Sequence, residues 1–267
     1  MEFVFGFTPS EITDRFAGRM KLLFVADLHY TLKQFDLLIA NARGFDTVLI
    51  GGDLLDLASA LDLETQIVVV EKYLVRLSRD VPLLVSSGNH DGDGRNAARE
   101  SICRWLREAK EGRLHVDGDS VEMGTTLITI CPWWDGPETR GEVEKLIARD
   151  AARTKGRWIW VHHAPPAGSP VCWSGRKSAG DEVLTEWIQR FSPDFVLSGH
   201  IHNAPFYADG SWIDRIGDTW VFNAGRQIGP QPTFVILDFG AMTARWISTD
   251  EDVTRDLTSP VAGVSGA

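Results

Sequence analysis

The sequence predicts an α/β protein, and three observations predict it. Short apolar runs rich in β-branched residues alternate with longer segments of helical period over most of the 267 residues. A composition of 43% hydrophobic and 24% charged residues is that of a folded chain and excludes disorder, collagen and coiled coil. No linker, repeat or low-complexity block divides the chain, so residues 1–250 are expected to form one domain. Residues 251–267, polar and rich in small side chains, are expected to be a loosely ordered tail.

The elements follow in order. A strand at Lys21–Ala26 leads to a helix at Thr31–Asn41, and a strand at Asp46–Ile50 leads to a helix at Asp62–Arg79, whose Ile67, Val70, Leu74 and Leu77 form one stripe. A third strand, Pro82–Ser86, is followed by a helix predicted over Arg95–Lys110 and by weaker strands at Leu114–Val116 and Val121–Met123. Then come a strand at Thr125–Ile130, a helix at Glu138–Arg153, a strand at Arg157–Val161, a helix at Asp181–Phe191 and a strand at Asp194–Leu197. After Gly199 strand follows strand, at Thr219–Phe222, Thr233–Phe239 and Met242–Ser248. Turns such as Ala208-Asp209-Gly210 lie between them, so the chain is predicted to end in antiparallel structure.

A net charge of −10, from 27 Lys+Arg against 37 Asp+Glu, argues against a nucleic-acid partner held through phosphates. It is compatible with carboxylates that hold divalent cations. The three cysteines, Cys103, Cys131 and Cys172, are odd in number and lack a Cys-x-x-Cys pair, which points to a reducing cytoplasm rather than a disulfide framework. Residues 1–10 carry no basic leader or cleavage site. No stretch approaches the roughly 20 apolar residues of a membrane span, so no membrane partner is expected.

The informative residues stand immediately after predicted strands, where open α/β sheets gather their ligand-binding groups. They are Asp27-Leu28-His29, Gly51-Gly52-Asp53-Leu54-Leu55-Asp56, Gly88-Asn89-His90-Asp91, His162-His163-Ala164-Pro165 and Gly199-His200-Ile201-His202. Alternation in extended backbone lets Asp27 and His29, and likewise His200 and His202, converge on one point or on adjacent points. Carboxylate, imidazole and amide donors together match Mn, Fe, Zn, Co or Ni, and more than four such donors imply more than one ion. Asp53, on a Gly-Gly turn, is placed to bridge two. Taken singly, Asp27, Asp53 and Asp56 would read as turn or helix caps and the histidines as loop residues. Five clusters in order favour the metal reading. Asp56 is equally compatible with orienting a ligand and with capping a turn.

The ordered set Asp27-x-His29, Gly52-Asp53-x-x-Asp56, Gly88-Asn89-His90-Asp91, His162 and Gly199-His200-x-His202 resembles the calcineurin-like metallophosphoesterase superfamily. The resemblance implies a four-layer α-β-β-α sandwich of two mixed sheets, with a centre of two divalent ions at the strand ends. By motif match, Asp27, His29 and His202 would hold the first ion and Asn89, His162 and His200 the second, with Asp53 bridging. His90 would be a catalytic residue beside the leaving-group oxygen, oriented by Asp91. The sequence does not show which ring of His162-His163 turns inward, and the family pattern favours the first. Two ions about 3.5–4 Å apart activate a water for in-line attack on phosphorus.

Trp133, Trp134, Trp173, Arg176, Lys177 and Arg226 are candidate substrate contacts on connections near the mouth, against the alternative that the tryptophans pack over the sheet edge and the cations are solvated. His115, outside the clusters, reads as structural. Asp56 stands where purple acid phosphatases carry a tyrosine, and the motif lacks the Arg-Gly continuation of the protein serine/threonine phosphatases. The expected substrate is therefore a small phosphodiester. A phosphomonoesterase or nuclease on the same site, and a protein-binding scaffold, remain as alternatives.

Overall fold

The computed structural model describes residues 19–259. In β1 (Lys21–Val25), Leu22 and Phe24 face one side and Leu23 and Val25 the other, and all four are buried. A strand with two apolar faces must be covered on both. Helix α1 (Leu32–Asn41) packs on the Leu23 side, and β2 (Thr47–Gly51) then runs parallel to β1 with the same two-sided burial. Helix α2 (Leu63–Asp80) completes the outer cover. It starts where the Asp62 carboxylate accepts the Thr65 amide at 2.7 Å. The parallel strand β3 (Leu83–Ser86) follows.

The helix predicted over Arg95–Lys110 does not form. In its place are a hairpin of β4 (Gly94–Arg95) and β5 (Ser101–Ile102) and one turn of helix, α3 (Trp105–Glu108). Tertiary capping overrides local propensity here. The Glu100 carboxylate accepts the amides of Glu138 (2.9 Å) and Thr139 (2.7 Å) at the start of a distant helix, and Asp93 accepts the Arg104 amide at 2.6 Å.

The rest comprises β6 (Leu114–His115), β7 (Ser120–Met123), β8 (Thr126–Ile130), α4 (Pro137–Ala151), β9 (Arg157–Val161), α5 (Glu182–Phe191) and β10 (Phe195–Ser198). After these come β11 (Ile213–Ile216), β12 (Thr219–Asn223), β13 (Phe234–Asp238), β14 (Thr243–Ile247) and β15 (Asp252–Asp256). One mixed sheet has the order β15-β14-β13-β1-β2-β3-β6 and the other β11-β12-β10-β9-β8-β7. Leu22, Phe24, Leu49 and Leu84 of the first meet Ile128, Ile159, Val161 and Leu197 of the second in the central core. Trp158, Trp160 and Val196 face α4 and α5 on the far side. The result is the expected four-layer α-β-β-α sandwich.

The chain beyond residue 250 is not simply a tail, because Asp252–Asp256 pairs antiparallel with β14 and Val253 packs against the central core. An Arg245–Asp252 ion pair across that ladder offsets the polar sequence. The readings of residues 1–10 and of 260–267 lie outside the described residues. No helix among the described residues is long and apolar enough to cross a membrane.

Candidate metal centre

β1, β2 and β3, and in the other sheet β9 and β10, all end at the same edge of the sandwich, and the loops beyond them carry the candidate ligands. The backbone there takes forms that side chains normally avoid. Asp27, His29, Tyr30, Asp53 and His200 all have φ between 40° and 64°. Cross-loop bonds hold this conformation: the Asp27 amide donates to Gly52 O (3.0 Å) and the His29 amide to Asp53 O (2.9 Å). Glycines make room beside the ligands. A Cβ on Gly52, which has φ +90°, would stand 2.6 Å from His163 Nδ1.

Two groups of donors share one carboxylate. Asp27, His29, Asp53 and His202 converge in the first, and Asp53, His163 and His200 in the second. His202 Nε2 lies 3.2 Å from Asp27 Oδ1 and 3.1 Å from His29 Nε2, and His29 Nε2 lies 3.5 Å from Asp53 Oδ2. The other oxygens are fixed by backbone donors: the His90 amide gives 2.8 Å to Asp53 Oδ1, and the His200 amide 3.0 Å to Asp27 Oδ2. Neither buried carboxylate has a Lys or Arg partner among the described residues. Burial opposes ionisation of Asp27, but His202, His29 and His163 outweigh it and hold its carboxyl well below the usual range.

The adjacent histidines have opposite fates, and the ring turned to the carboxylates is His163 rather than His162. His163 Nδ1 donates to Gly51 O at 2.7 Å, which turns Nε2 to Asp53 Oδ2 (3.2 Å) and Asp27 Oδ1 (3.8 Å). Burial disfavours its protonation, yet the Asp53 and Asp27 charges lift it to about 9. His162 instead stacks on Trp134, with centroids 4.0 Å apart and planes at 12°. Both its nitrogens are buried without a hydrogen-bond partner, and burial pushes it down to about 3. The parity of β9 is the reason. Ile159 and Val161 face the central core, so 163 continues their side, while 162 continues Trp158 and Trp160 toward the helices.

His90 lies at the edge of this cluster, its side chain one quarter exposed, with Nε2 3.9 Å from Asp53 Oδ2. Asp91 does not orient it. The Asp91 carboxylate is fully buried and taken up by the amides of Leu54 (2.8 Å), Leu55 (3.0 Å) and Gly88 (2.7 Å), so it braces the loop that carries Asp53. Asp56 joins His29 and His90 in a third group of close donors, while its Oδ1 accepts the Ala58 amide at 2.9 Å. Asn89 Oδ1 is buried with no partner, as an oxygen awaiting a cation would be.

Among the proposed substrate contacts, Trp133 stands beside the cluster, 5.7 Å from the His163 ring and 5.4 Å from His200. Trp134 packs instead: it stacks on His162, and its Nε1 donates to Asp181 Oδ2 at 3.0 Å. Trp173 is half-buried, and Arg176 and Lys177 sit in an exposed turn closed by the Ser174 amide on Lys177 O (3.0 Å). No side-chain contact joins these three to the donors among the described residues. The Arg226 amide donates to His202 O at 2.9 Å, which places that residue at the rim. His115 is half-buried on β6, apart from the cluster.

Paired buried carboxylates, imidazoles with free nitrogens and an orphaned amide oxygen on an α-β-β-α sandwich make a centre able to hold divalent metal. The profile of the calcineurin-like phosphoesterases matches residues 20–204, and the chain belongs to that family. It is a metal-dependent phosphoric ester hydrolase. Its fold is similar to that of TT1561 of Thermus thermophilus, with TM-score 0.54 and 14% identity over 90% of this chain and 99% of that one. It is also similar to purple acid phosphatase PPD1 of yellow lupin seeds, with TM-score 0.55 and 14% identity over 93% of this chain and 57% of that one. Yfce, a phosphoesterase from E. coli, aligns at TM-score 0.45 and 15% identity over 89% of this chain and all of that one. No curated protein matches the chain in sequence.

Proposed function

We propose that this phosphoesterase is dinuclear and hydrolyses small phosphodiesters in the cytoplasm. Asp27, His29 and His202 would hold one divalent ion, Asn89, His163 and His200 the other, and Asp53 would bridge them. The observation that carries this reading is the sharing of Asp53 by two separate groups of close donors. Mixed nitrogen and oxygen donors favour Mn, Fe, Zn, Co or Ni over Mg or Ca. When bound, such ions polarise the phosphoryl oxygens and lower the pKa of an attacking water.

The chain's own groups supply the remainder. His90 Nδ1 accepts the Leu57 amide at 3.4 Å, so in the neutral ring the proton sits on Nε2, the nitrogen on the Asp53 side. That N–H can stabilise charge on the departing ester oxygen. The Nδ1–H bond to Gly51 O fixes the His163 ring so that Nε2 faces Asp27 and Asp53, where a cation would replace its proton. Cytoplasmic residence rests on three unpaired cysteines, Cys103, Cys131 and Cys172.

The test strips the protein of metal, refills it with Mn²⁺, and compares hydrolysis of bis(p-nitrophenyl) phosphate and p-nitrophenyl phosphate beside elemental analysis. Two equivalents of metal and a faster diester reaction are expected. A faster monoester reaction would replace the diester reading with a phosphatase, and metal binding without activity on either would overturn it.

A further inference from the structure

Six large hydrophobic side chains are well exposed among the described residues, and five of them lie on loops that follow β2, β10 and β12, at the sheet edge where the donors gather. Leu57 and Leu61 lie on the loop after β2, Phe206 and Tyr207 on the loop after β10, and Ile228 on the loop after β12. Only Val68, on α2, lies elsewhere. Exposed apolar groups gathered at one place mark a binding surface, whereas scattered ones do not.

The Ile228 loop is also held firmly. Gln34, only 2% exposed, donates from Nε2 to Gln227 O (3.2 Å) and Gly229 O (3.0 Å). Gln227 Nε2 donates to Gln231 O (2.8 Å), and the Thr233 hydroxyl donates to Gly225 O (2.7 Å). A loop so clamped nonetheless presents Ile228 at its tip, 95% exposed. Two residues earlier, Arg226 begins at the His202 carbonyl and makes no ion pair or side-chain hydrogen bond among the described residues. A guanidinium without a carboxylate partner beside the donor cluster is able to bind an anion. On the loop after β2 the Leu57 amide donates to His90 Nδ1 at 3.4 Å, and the His90 ring lies 4.6 Å from that of His29.

We infer that the substrate is an amphiphilic phosphodiester taken one molecule at a time: its phosphate lies between the metal centre and Arg226, and its aliphatic substituent lies against the Leu57–Ile228 rim. This deepens the phosphodiesterase reading above and rests on it. The acidic chain as a whole would be repelled by an anionic bilayer, which favours a single amphiphile over a membrane surface.

The Mn²⁺-loaded protein is tested with methyl and hexyl p-nitrophenyl phosphate below micelle-forming concentrations, and calorimetry measures binding of methylphosphonate and hexylphosphonate. The hexyl ester is expected to show kcat/KM roughly tenfold higher, and hexylphosphonate a Kd lower by a similar factor, as partial burial of the added methylenes requires. Ile228→Ser and Leu57→Ser should each shrink the hexyl-to-methyl ratio toward one, and Val68→Ser should leave that ratio as it is. Equal kcat/KM for the two esters with equal Kd for the two phosphonates overturns this inference while the phosphodiesterase reading stands. Absence of hydrolysis of both esters overturns that reading, and this one with it.

Discussion

The two sheets hold their halves of the metal centre by different means. The seven-stranded sheet delivers Asp27, His29, Asp53 and Asn89 on short loops fastened by backbone amides: His90 N on Asp53, three amides on the bracing Asp91 and, from the loop of the other sheet, His200 N on Asp27. The six-stranded sheet delivers His163, His200 and His202 beside flat aromatic walls, with Trp133 near His163 and His200 and Trp134 against His162. A buried carboxylate requires N–H donors or a cation, whereas a neutral imidazole can lie against an indole face. Changes in the first half should therefore act through charge, and changes in the second through which ring is presented.

The largest effect expected is from Asp53→Asn, which removes the oxygen shared by both donor groups. Metal content should fall from two equivalents to one or none, and turnover should fall to background. His163→Ala should lose metal as well, whereas His162→Ala should retain it. Elemental analysis of the three proteins after identical refilling breaks the comparison if the two histidine variants lose metal equally. Next comes His90→Ala, expected to reduce turnover by about 10²–10⁴-fold while keeping its metal if, as proposed, the ring acts on the departing oxygen rather than as a ligand. Metal loss matching that of Asp53→Asn would place His90 in the ligand set instead.

The same division explains what could be read from sequence. Every turn that carries a candidate ligand was legible, because Asp-x-His, Gly-Asp and Gly-Asn-His follow apolar runs whose alternation fixes where the strands end. The choice between His162 and His163 was written in Arg157–Val161 too, since the two tryptophans of that strand take one parity and Ile159 and Val161 the other. A ring facing helices cannot also face the strand-end cluster. The role of Asp91 was not legible, because its partners are backbone amides and its neighbours in sequence say nothing of them. The missing helix over residues 95–110 is of the same kind: Glu100 is a good helix former until α4, almost forty residues on, takes its carboxylate as a cap. The strand at Asp252–Asp256 was hidden because an edge strand with a polar face has little apolar alternation to show.

A smaller effect sharpens the contrast between the neighbouring histidines. His162 is fully buried and held down to about 3, whereas in the unfolded chain it titrates near its ordinary value of 6.5. Between those values the unfolded chain binds the extra proton, so stability rises with pH across that window and is lost as pH falls from about 6.5 toward 3. His162→Phe keeps a flat ring against Trp134 and removes the titration. The variant should retain its metal at neutral pH, and the metal-stripped protein should lose less stability than wild type on going from pH 7 to pH 4, by about 3 kcal/mol. Denaturant midpoints at the two pH values measure it. An unchanged pH dependence would mean that His162 has polar partners that its stacked position does not provide.

The smallest effect compares two helix caps of the same chemistry. Asp62 accepts the Thr65 amide at the start of α2 and lies in the exposed loop beyond the centre, so Asp62→Ala should cost about 1 kcal/mol and leave the site alone. Asp181 accepts the Leu184 amide at the start of α5 with one oxygen (2.9 Å) and the Trp134 Nε1–H with the other (3.0 Å). Its removal takes away a cap and leaves an indole N–H short of a partner, which adds about another 1 kcal/mol. Because Trp134 is the wall against which His162 stacks, Asp181→Ala should also change the tryptophan emission, which Asp62→Ala should not. If both variants lose the same stability and neither alters the emission, the aromatic wall is held by packing against Trp187 alone, and the six-stranded half of the centre does not depend on that hydrogen bond.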